Sequence, residues 1–417
     1  MNKHLTSGAG RIGGGIGGLK MLMVLSALWL MAGCSYRGEE QAATSGKIEP
    51  IPAGSFVVDW NLPLNLKEES VSKLWLNDSY VFVCVSDNHC YWVDRRKGNA
   101  VSLTEPGRRG DTVFAPVSMP DRVVFPSSRQ LMVYEPNGKP AHRIAVKFSP
   151  CSSGPADGHQ IYIGMYHENG GRLVAMKSDE QPYELTPPWE LMTRGQFTAK
   201  AAILSHELFA GSTDGLIYAI KADNRASVWV NLDTGYFRTG GPILADIKVD
   251  KDGVYAASMD TKLYCLKVDS GKINWVYHAG HALREHSTPT VTADAVYLYV
   301  PNVGVVAIDK AGKQEFRAAK WSVPEGRKIL SYDAKNIYLS TDKDQIVAVD
   351  RQSGEVIFRS KRSDFVAFAS NDSGKDNIIY AATADGHAFA IRPVLSPGTV
   401  GQWVLNSGSA HSWAVGN

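Results

Sequence analysis

One aromatic residue recurs along this 417-residue chain at an interval that few folds can accommodate. Sliding the stretch Gly253 to Gly280, GVYAASMDTKLYCLKVDSGKINWVYHAG, along the sequence aligns Phe82, Phe125, Tyr162, Phe209, Tyr255, Tyr297, Tyr338 and Tyr380. By subtraction their spacings are 43, 37, 47, 46, 42, 41 and 42 residues. The stretch itself reads as three short strands. Val254 to Ala257, Leu263 to Val268 and Ile273 to Tyr277 are β-branched, aromatic or small, and Asp-Thr and Asp-Ser-Gly turns separate them. A period near 42 residues in an all-strand chain marks propeller blades, four-stranded sheets that cannot bury their faces alone. Eight marks predict an all-β, eight-bladed β-propeller of four-stranded antiparallel blades, with seven blades as the runner-up.

The later repeats are the cleanest. Asp214-Gly215 and Asp385-Gly386 stand between alternating apolar residues, a strong short-range hairpin signal. The third repeat ends in an irregular tail from Pro182 to Gln196, expected to be a surface excursion. A ring must also close, because an open one leaves exposed faces and edges. Phe56 to Leu64, FVVDWNLPL, fits the missing outer strand of the last blade, and Gln402 to Leu405 competes for that place.

Residues 1–33 are an address. Lys3, Arg11 and Lys20 precede an apolar run from Met21 to Met31 that is too short to span a bilayer comfortably, and small residues follow it. The ending Leu30-Met31-Ala32-Gly33-Cys34 resembles the lipobox of bacterial lipoproteins, which makes Cys34 the expected lipid-attachment site. Ser35 behind it resembles the pattern of lipoproteins delivered to the outer membrane. Residues 34–53 are expected to be a flexible tether and 54–417 a single propeller domain. Removing the leader takes away three of the 44 basic residues and none of the 42 acidic ones, so 41 face 42. This near-neutral chain has no basic run to suggest nucleic acid as a partner.

Several repeats share the order aromatic-Ala-small-Ser/Thr-x-Asp-Gly, then Tyr-Ala-Ile, then Asp-x-x-Gly and an aromatic. VYAASMDTKLYCLKVDSGKINWVY from Val254, LFAGSTDGLIYAIKADNRASVWV from Leu208 and IYLSTDKDQIVAVDRQSGEVIFRS from Ile337 carry it best. The pattern resembles the quinoprotein-type, or PQQ-like, propeller repeat, most strongly after Leu208. Gly271, Gly312 and Gly354 suit turns that need a positive φ. Ala219, Ala307, Ala348 and Ala390 hold a small place in the middle strand. Trp229, Trp275, Phe316 and Phe358 are expected to be wedges between blades.

The cysteines offer little chemistry. Cys265 aligns with Ala219 and Ala390, and Cys84 with Gly211, Ala257 and Ala382, so both are expected as core fillers. A two-residue turn at Asp87-Asn88 sets Cys84 opposite Tyr91 and Cys90 opposite Val85. Adjacent places on a strand face apart, so no Cys84–Cys90 disulfide is expected, although an exported protein could carry one. Cys151 has no assigned partner. Quinoprotein dehydrogenases have an adjacent cysteine pair beside their cofactor, and no two cysteines are adjacent here. His278, His281 and His286 match no metal-binding spacing. No catalytic, cofactor-binding or metal-binding residue is assigned, and no cofactor is expected.

Leader, lipobox, length and eight such repeats together resemble the BamB family of propeller lipoproteins of the β-barrel assembly machinery. That resemblance implies a non-enzymatic, lipid-anchored scaffold on the periplasmic face of the outer membrane, with the lipid leaflet and barrel-assembly proteins as partners. A PQQ-dependent dehydrogenase and a glycan- or peptide-binding module remain as alternatives. The first predicts quinone and calcium binding, and the second predicts exposed aromatics gathered at one end of the ring.

Overall fold

The computed structural model describes residues 56–66, 69–158, 160–178, 187–230, 232, 234–360, 362–393 and the strand Trp403–Leu405. All of these lie in the compact unit Ile48–Asn417. The leader, Cys34, the tether and residues 182–186 of the third repeat's tail fall outside them. Among the described residues the only helix is one 3-10 turn, Glu285–Ser287, and no helix is long and apolar enough to cross a membrane.

Eight antiparallel sheets follow one another: 71–104, 117–145, 156–193, 202–238, 248–278, 290–323, 326–359 and 365–393, here blades 1 to 8. Within each, chain order runs from the inner to the outer strand, as in blade 4, where Ala202–Leu204, Glu207–Gly211, Leu216–Lys221 and Tyr236–Arg238 pair in sequence. The ring therefore has eight blades rather than seven. The core is shared out between neighbours: eight apolar clusters each draw on two adjacent sheets, so no blade is buried except by the next.

The recurring aromatics sit on the second strand of each blade and are at most 2% exposed. Tyr162, Phe209, Tyr255, Tyr297, Tyr338 and Tyr380 lie directly across from Ala175, Ala219, Cys265, Ala307, Ala348 and Ala390. The small residue leaves the ring its space, so big opposite small is a cross-strand rule within one sheet. Cys265 is the core filler expected. Phe125 is out of phase with the rest. It packs back against blade 1, its ring 5.4 Å from that of Phe82, whereas the other marks point towards the following blade.

The wedges obey a second rule. Trp229 donates its indole N–H to the Val268 carbonyl of the next blade at 2.8 Å, and a Cβ on Gly271 would come within 2.5 Å of its ring. Trp321 repeats this with the Arg351 carbonyl and Gly354, and Trp60 with the Arg95 carbonyl and Gly98. Gly98, Gly271 and Gly354 all have positive φ, so both the turn and the close approach exclude a side chain. Trp275 and Phe358 are buried as expected. Phe316 is not a wedge: it is 63% exposed, and Trp321 holds that place in blade 6. Phe316–Arg317 instead adds a fifth, parallel strand to the outer edge of blade 5, where Arg317 donates to the carbonyls of Ala311 and Gly312, each at 2.6 Å.

Both candidates for ring closure are used. Phe56–Pro63 pairs antiparallel with His387–Pro393 as the outer strand of blade 8, and Trp403–Leu405 runs parallel outside it. A bulge between Val58 and Trp60 reverses the alternation of faces. Phe56 and Val58 consequently face blade 7, while Trp60 faces blade 1. In the third repeat, Trp189–Thr193 is the outer strand of blade 3 rather than part of an excursion.

Candidate functional site

Three places bring reactive or recognition-competent groups together. The first is the axis. Residues of five blades and of the segments entering blades 2, 3 and 4 line a cavity of about 930 Å³, and its walls are rich in lysine: Lys73, Lys248 and Lys328 come from blades 1, 5 and 7 and Lys200 from the segment entering blade 4. Lys248 is held by Asp372 at 2.6 Å. Burial opposes its charge, but the Asp372 carboxylate outweighs that and keeps its pKa above the ordinary lysine value. Lys73 and Lys328 hydrogen-bond only to backbone, to the carbonyls of Val113 at 3.0 Å and Phe368 at 2.5 Å. Crowding by the cavity wall pushes the amine of Lys328 down to about 8 and lowers that of Lys73, although both side chains stay open to the water of the cavity; burial lowers that of Lys200, opposed by Asp246. The repeat does not reveal these residues, because inner-strand positions facing the axis carry no shared pattern.

The second place is the hairpin of blade 1. Cys84 and Cys90 are directly opposed, with Cα atoms 4.0 Å apart, and form a disulfide, contrary to the expectation from sequence. The turn holds three residues, not two. Val85 N–H bonds His89 O at 2.8 Å, and Asn88 takes φ of +75° as the third loop residue. That extra residue slips the register by one and turns both sulfurs to the same face. The signal lay in the other repeats, where residues six apart face each other across this turn: Gly211 and Ile217, Ala257 and Leu263, Ala382 and Ala388. Beside the disulfide, ligand atoms of Glu69, Asp87 and His89 converge within 4.8 Å. The hydrogen bond from His89 to Asp87 at 2.5 Å accounts for that closeness, and a hydrogen bond with Asp87 pushes the Glu69 carboxyl above its ordinary range.

The histidines singled out in the sequence do not converge. His278 packs on the Phe316 ring at 5.5 Å, while His286 lies in the 3-10 turn at the axial cavity. Cys151 is a free thiol that donates to the Phe197 carbonyl at 3.4 Å, and burial raises its pKa to about 12, which leaves it unreactive at neutral pH.

The third place is the rim. Several outer strands present apolar side chains to solvent, including Val101 and Leu103 of blade 1, Met192 of blade 3 and Ile357 of blade 7. In blades 5 and 8 the outer edge is already covered by a short parallel strand from elsewhere in the chain. The other six sheets end, among the described residues, at their fourth strand.

Fold, repeat and rim together define an eight-bladed β-propeller built of PQQ-like repeats. A family model described as outer membrane protein assembly factor BamB matches residues 213–331, and over that stretch the repeat is similar to that family's. Among solved structures it is similar to BamB from Moraxella catarrhalis, with 16% identity, 81% of this chain and 97% of that one covered, and a TM-score of 0.61. It is also similar to Sqt1 of Saccharomyces cerevisiae, at 12% identity, 83% and 100% coverage and a TM-score of 0.61. The computationally designed Ika8 protein matches at 12% identity, 81% and 99% coverage and 0.56. At these identities the structural matches speak to the fold alone. None of the curated proteins searched matches the chain.

Proposed function

We propose that this protein is a non-enzymatic scaffold, anchored by lipid on Cys34 to the periplasmic face of the outer membrane, that holds partner proteins by strand addition to its outer blade edges. The partners are proteins of outer-membrane β-barrel assembly, an assignment that rests on the family match over residues 213–331. One observation carries the mode of binding: the outer edges of blades 5 and 8 each accept a two- or three-residue parallel strand from distant parts of the chain. An edge that takes an internal strand has the free N–H and C=O groups to take an external one. The edge Ala100–Thr104, with Val101 42% and Leu103 54% exposed, combines such a backbone with apolar side chains. The Cys84–Cys90 disulfide suits an oxidising compartment and supports export independently of the leader.

The test is affinity purification of the lipidated protein from its own membrane in mild detergent. Recovery of barrel-assembly subunits is expected, with a drop of about tenfold for the Val101→Lys, Leu103→Lys double variant, since charge on an edge blocks pairing. Recovery of none of those subunits would sink the assembly role. Release of the Cys34→Ala variant from membranes tests the anchor separately.

A further inference from the structure

We propose that the axial cavity is a binding site for a compact oxyanion bearing two or more negative charges, of the carboxylate or phosphate kind. This goes beyond the scaffold role, which concerns the rim, and stands or falls separately.

The charges and donors argue for it. Five cations line the cavity, Lys73, Lys200, Lys248, Lys328 and Arg327, against the carboxylates of Asp246, Asp372 and Glu285. Those carboxylates leave the cations only partly satisfied. Asp372 is spent on Lys248 at 2.6 Å, and Asp246 accepts the backbone N–H of Lys200 at 2.9 Å. Arg327 turns to Asp342 at 3.5 Å and to nearby carbonyls. An ammonium has three N–H donors, and Lys73 and Lys328 each hydrogen-bond a single backbone carbonyl. Two cations therefore face the cavity with donors free for a ligand and no carboxylate bonded to them, Lys73 also lying 5.5 Å over the Trp75 ring. Both side chains are open to the water of the cavity, and a small dianion takes the place of that water with charge-assisted hydrogen bonds to both ammonium groups at once. A cavity of about 930 Å³ has room for a small multiply charged molecule.

The charged and titratable groups that share the cavity with Lys328 are Arg327 on its own strand, Asp372 from blade 8, Lys73 from blade 1, Lys248, Asp246 and Lys200, with Glu285 and His286 at the blade 6 side. With its amine at about 8, Lys328 is largely charged at pH 7 and largely neutral at pH 9. An anion beside it raises that value, so binding takes up protons most strongly just above pH 8 and weakens as pH rises further.

Isothermal titration of the purified full chain with pyrophosphate, and separately with citrate, at low ionic strength tests this. One-to-one binding by at least one anion is expected. Repeating the titration near pH 8.5 in buffers of different ionisation enthalpy should reveal proton uptake, read directly for citrate, which is fully ionised there, and after subtracting the protons the ligand itself releases for pyrophosphate. Lys73→Gln and Lys328→Gln should each weaken binding at least tenfold, whereas Lys343→Gln, in an exposed turn of blade 7, should change it less than twofold. Lys328→Arg, which keeps the charge but does not titrate, should bind and lose the proton uptake; it serves if the glutamine variant fails to fold. Binding by pyrophosphate alone or citrate alone assigns the phosphate or the carboxylate class. No binding of either anion, or binding indifferent to the channel variants, overturns the proposal.

Discussion

The ammonium of Lys248 lies 2.6 Å from the carboxylate of Asp372, joining the inner strand of blade 5 to the loop behind the inner strand of blade 8. These blades are three places apart in the ring, so the pair reaches across the axis. Asp372 stabilises the charge on Lys248 but leaves Lys328, on the wall of the same cavity, hydrogen-bonded to backbone only. The two lysines consequently respond to pH in opposite senses.

Lys328 makes stability rise with alkalinity. Its amine titrates near 8 in the fold and near 10.5 in the unfolded chain. Between those values the unfolded chain holds a proton that the folded protein has released, so the free energy of unfolding grows with pH across that window. Lys248, raised above 10.5, contributes stability that is present below that value and is lost only as pH climbs past it, outside the window. Melting curves of wild type and Lys328→Met from pH 7 to 10 should converge as pH rises. A difference that does not change with pH would refute the assignment.

The Cys84–Cys90 bridge closes a loop of about six residues, worth about 2 kcal/mol in the chain-entropy account. Replacing both cysteines by alanine should lower the denaturation midpoint accordingly, with an unchanged slope. Alkylation of the unfolded, unreduced protein should label Cys151 and Cys265 and spare Cys84 and Cys90. Labelling of all four would mean that the bridge does not form.

Arg95 welds the ring where its ends meet. From blade 1 it donates to the Tyr380 hydroxyl at 3.1 Å, the Asp376 carboxylate at 3.1 Å and Asn371 at 3.3 Å, all in blade 8. Arg351 does the same between blades 7 and 6, bonding the Tyr297 hydroxyl at 2.8 Å and pairing with Asp294. Removing a nearly buried cation and leaving its partners unmatched costs about 3 kcal/mol. Arg95→Met and Arg351→Met should destabilise by similar amounts in denaturant melts. A loss under 1 kcal/mol for Arg95→Met would show that closure rests on strand pairing alone.

Trp321 and Phe316 separate wedge from edge. Trp321→Ala removes a buried ring seated on Gly354 and should cost about 3–5 kcal/mol, while Phe316→Ala, at 63% exposure, should stay within about 0.5 kcal/mol. Equal effects would contradict the exchange of roles between these two residues.

Much of the architecture is legible in the primary structure, since a repeat writes the same local instruction eight times. The buried aromatic, the small residue opposite it and the turn glycines can each be read from any clean copy, as at Tyr255, Cys265 and Gly271. Errors arise where one copy departs from the others. Asn88 supplies the left-handed turn residue that Gly215 and Gly386 supply elsewhere, and reading its turn as two residues hid the disulfide. Phe316 has the chemistry of a wedge but stands ahead of the true one.

The order of residues thus determined the module, its count and its internal pairing, because those depend on contacts within some forty positions. Which cations meet at the axis was decided only by the closed ring. Lys73, Lys200, Lys248 and Lys328 stand far apart along the chain with no common spacing, and only curvature summed over eight sheets turns their inner strands towards one another. The closing seam is of the same kind, because the clamp from Arg95 to Tyr380 joins residues 285 positions apart.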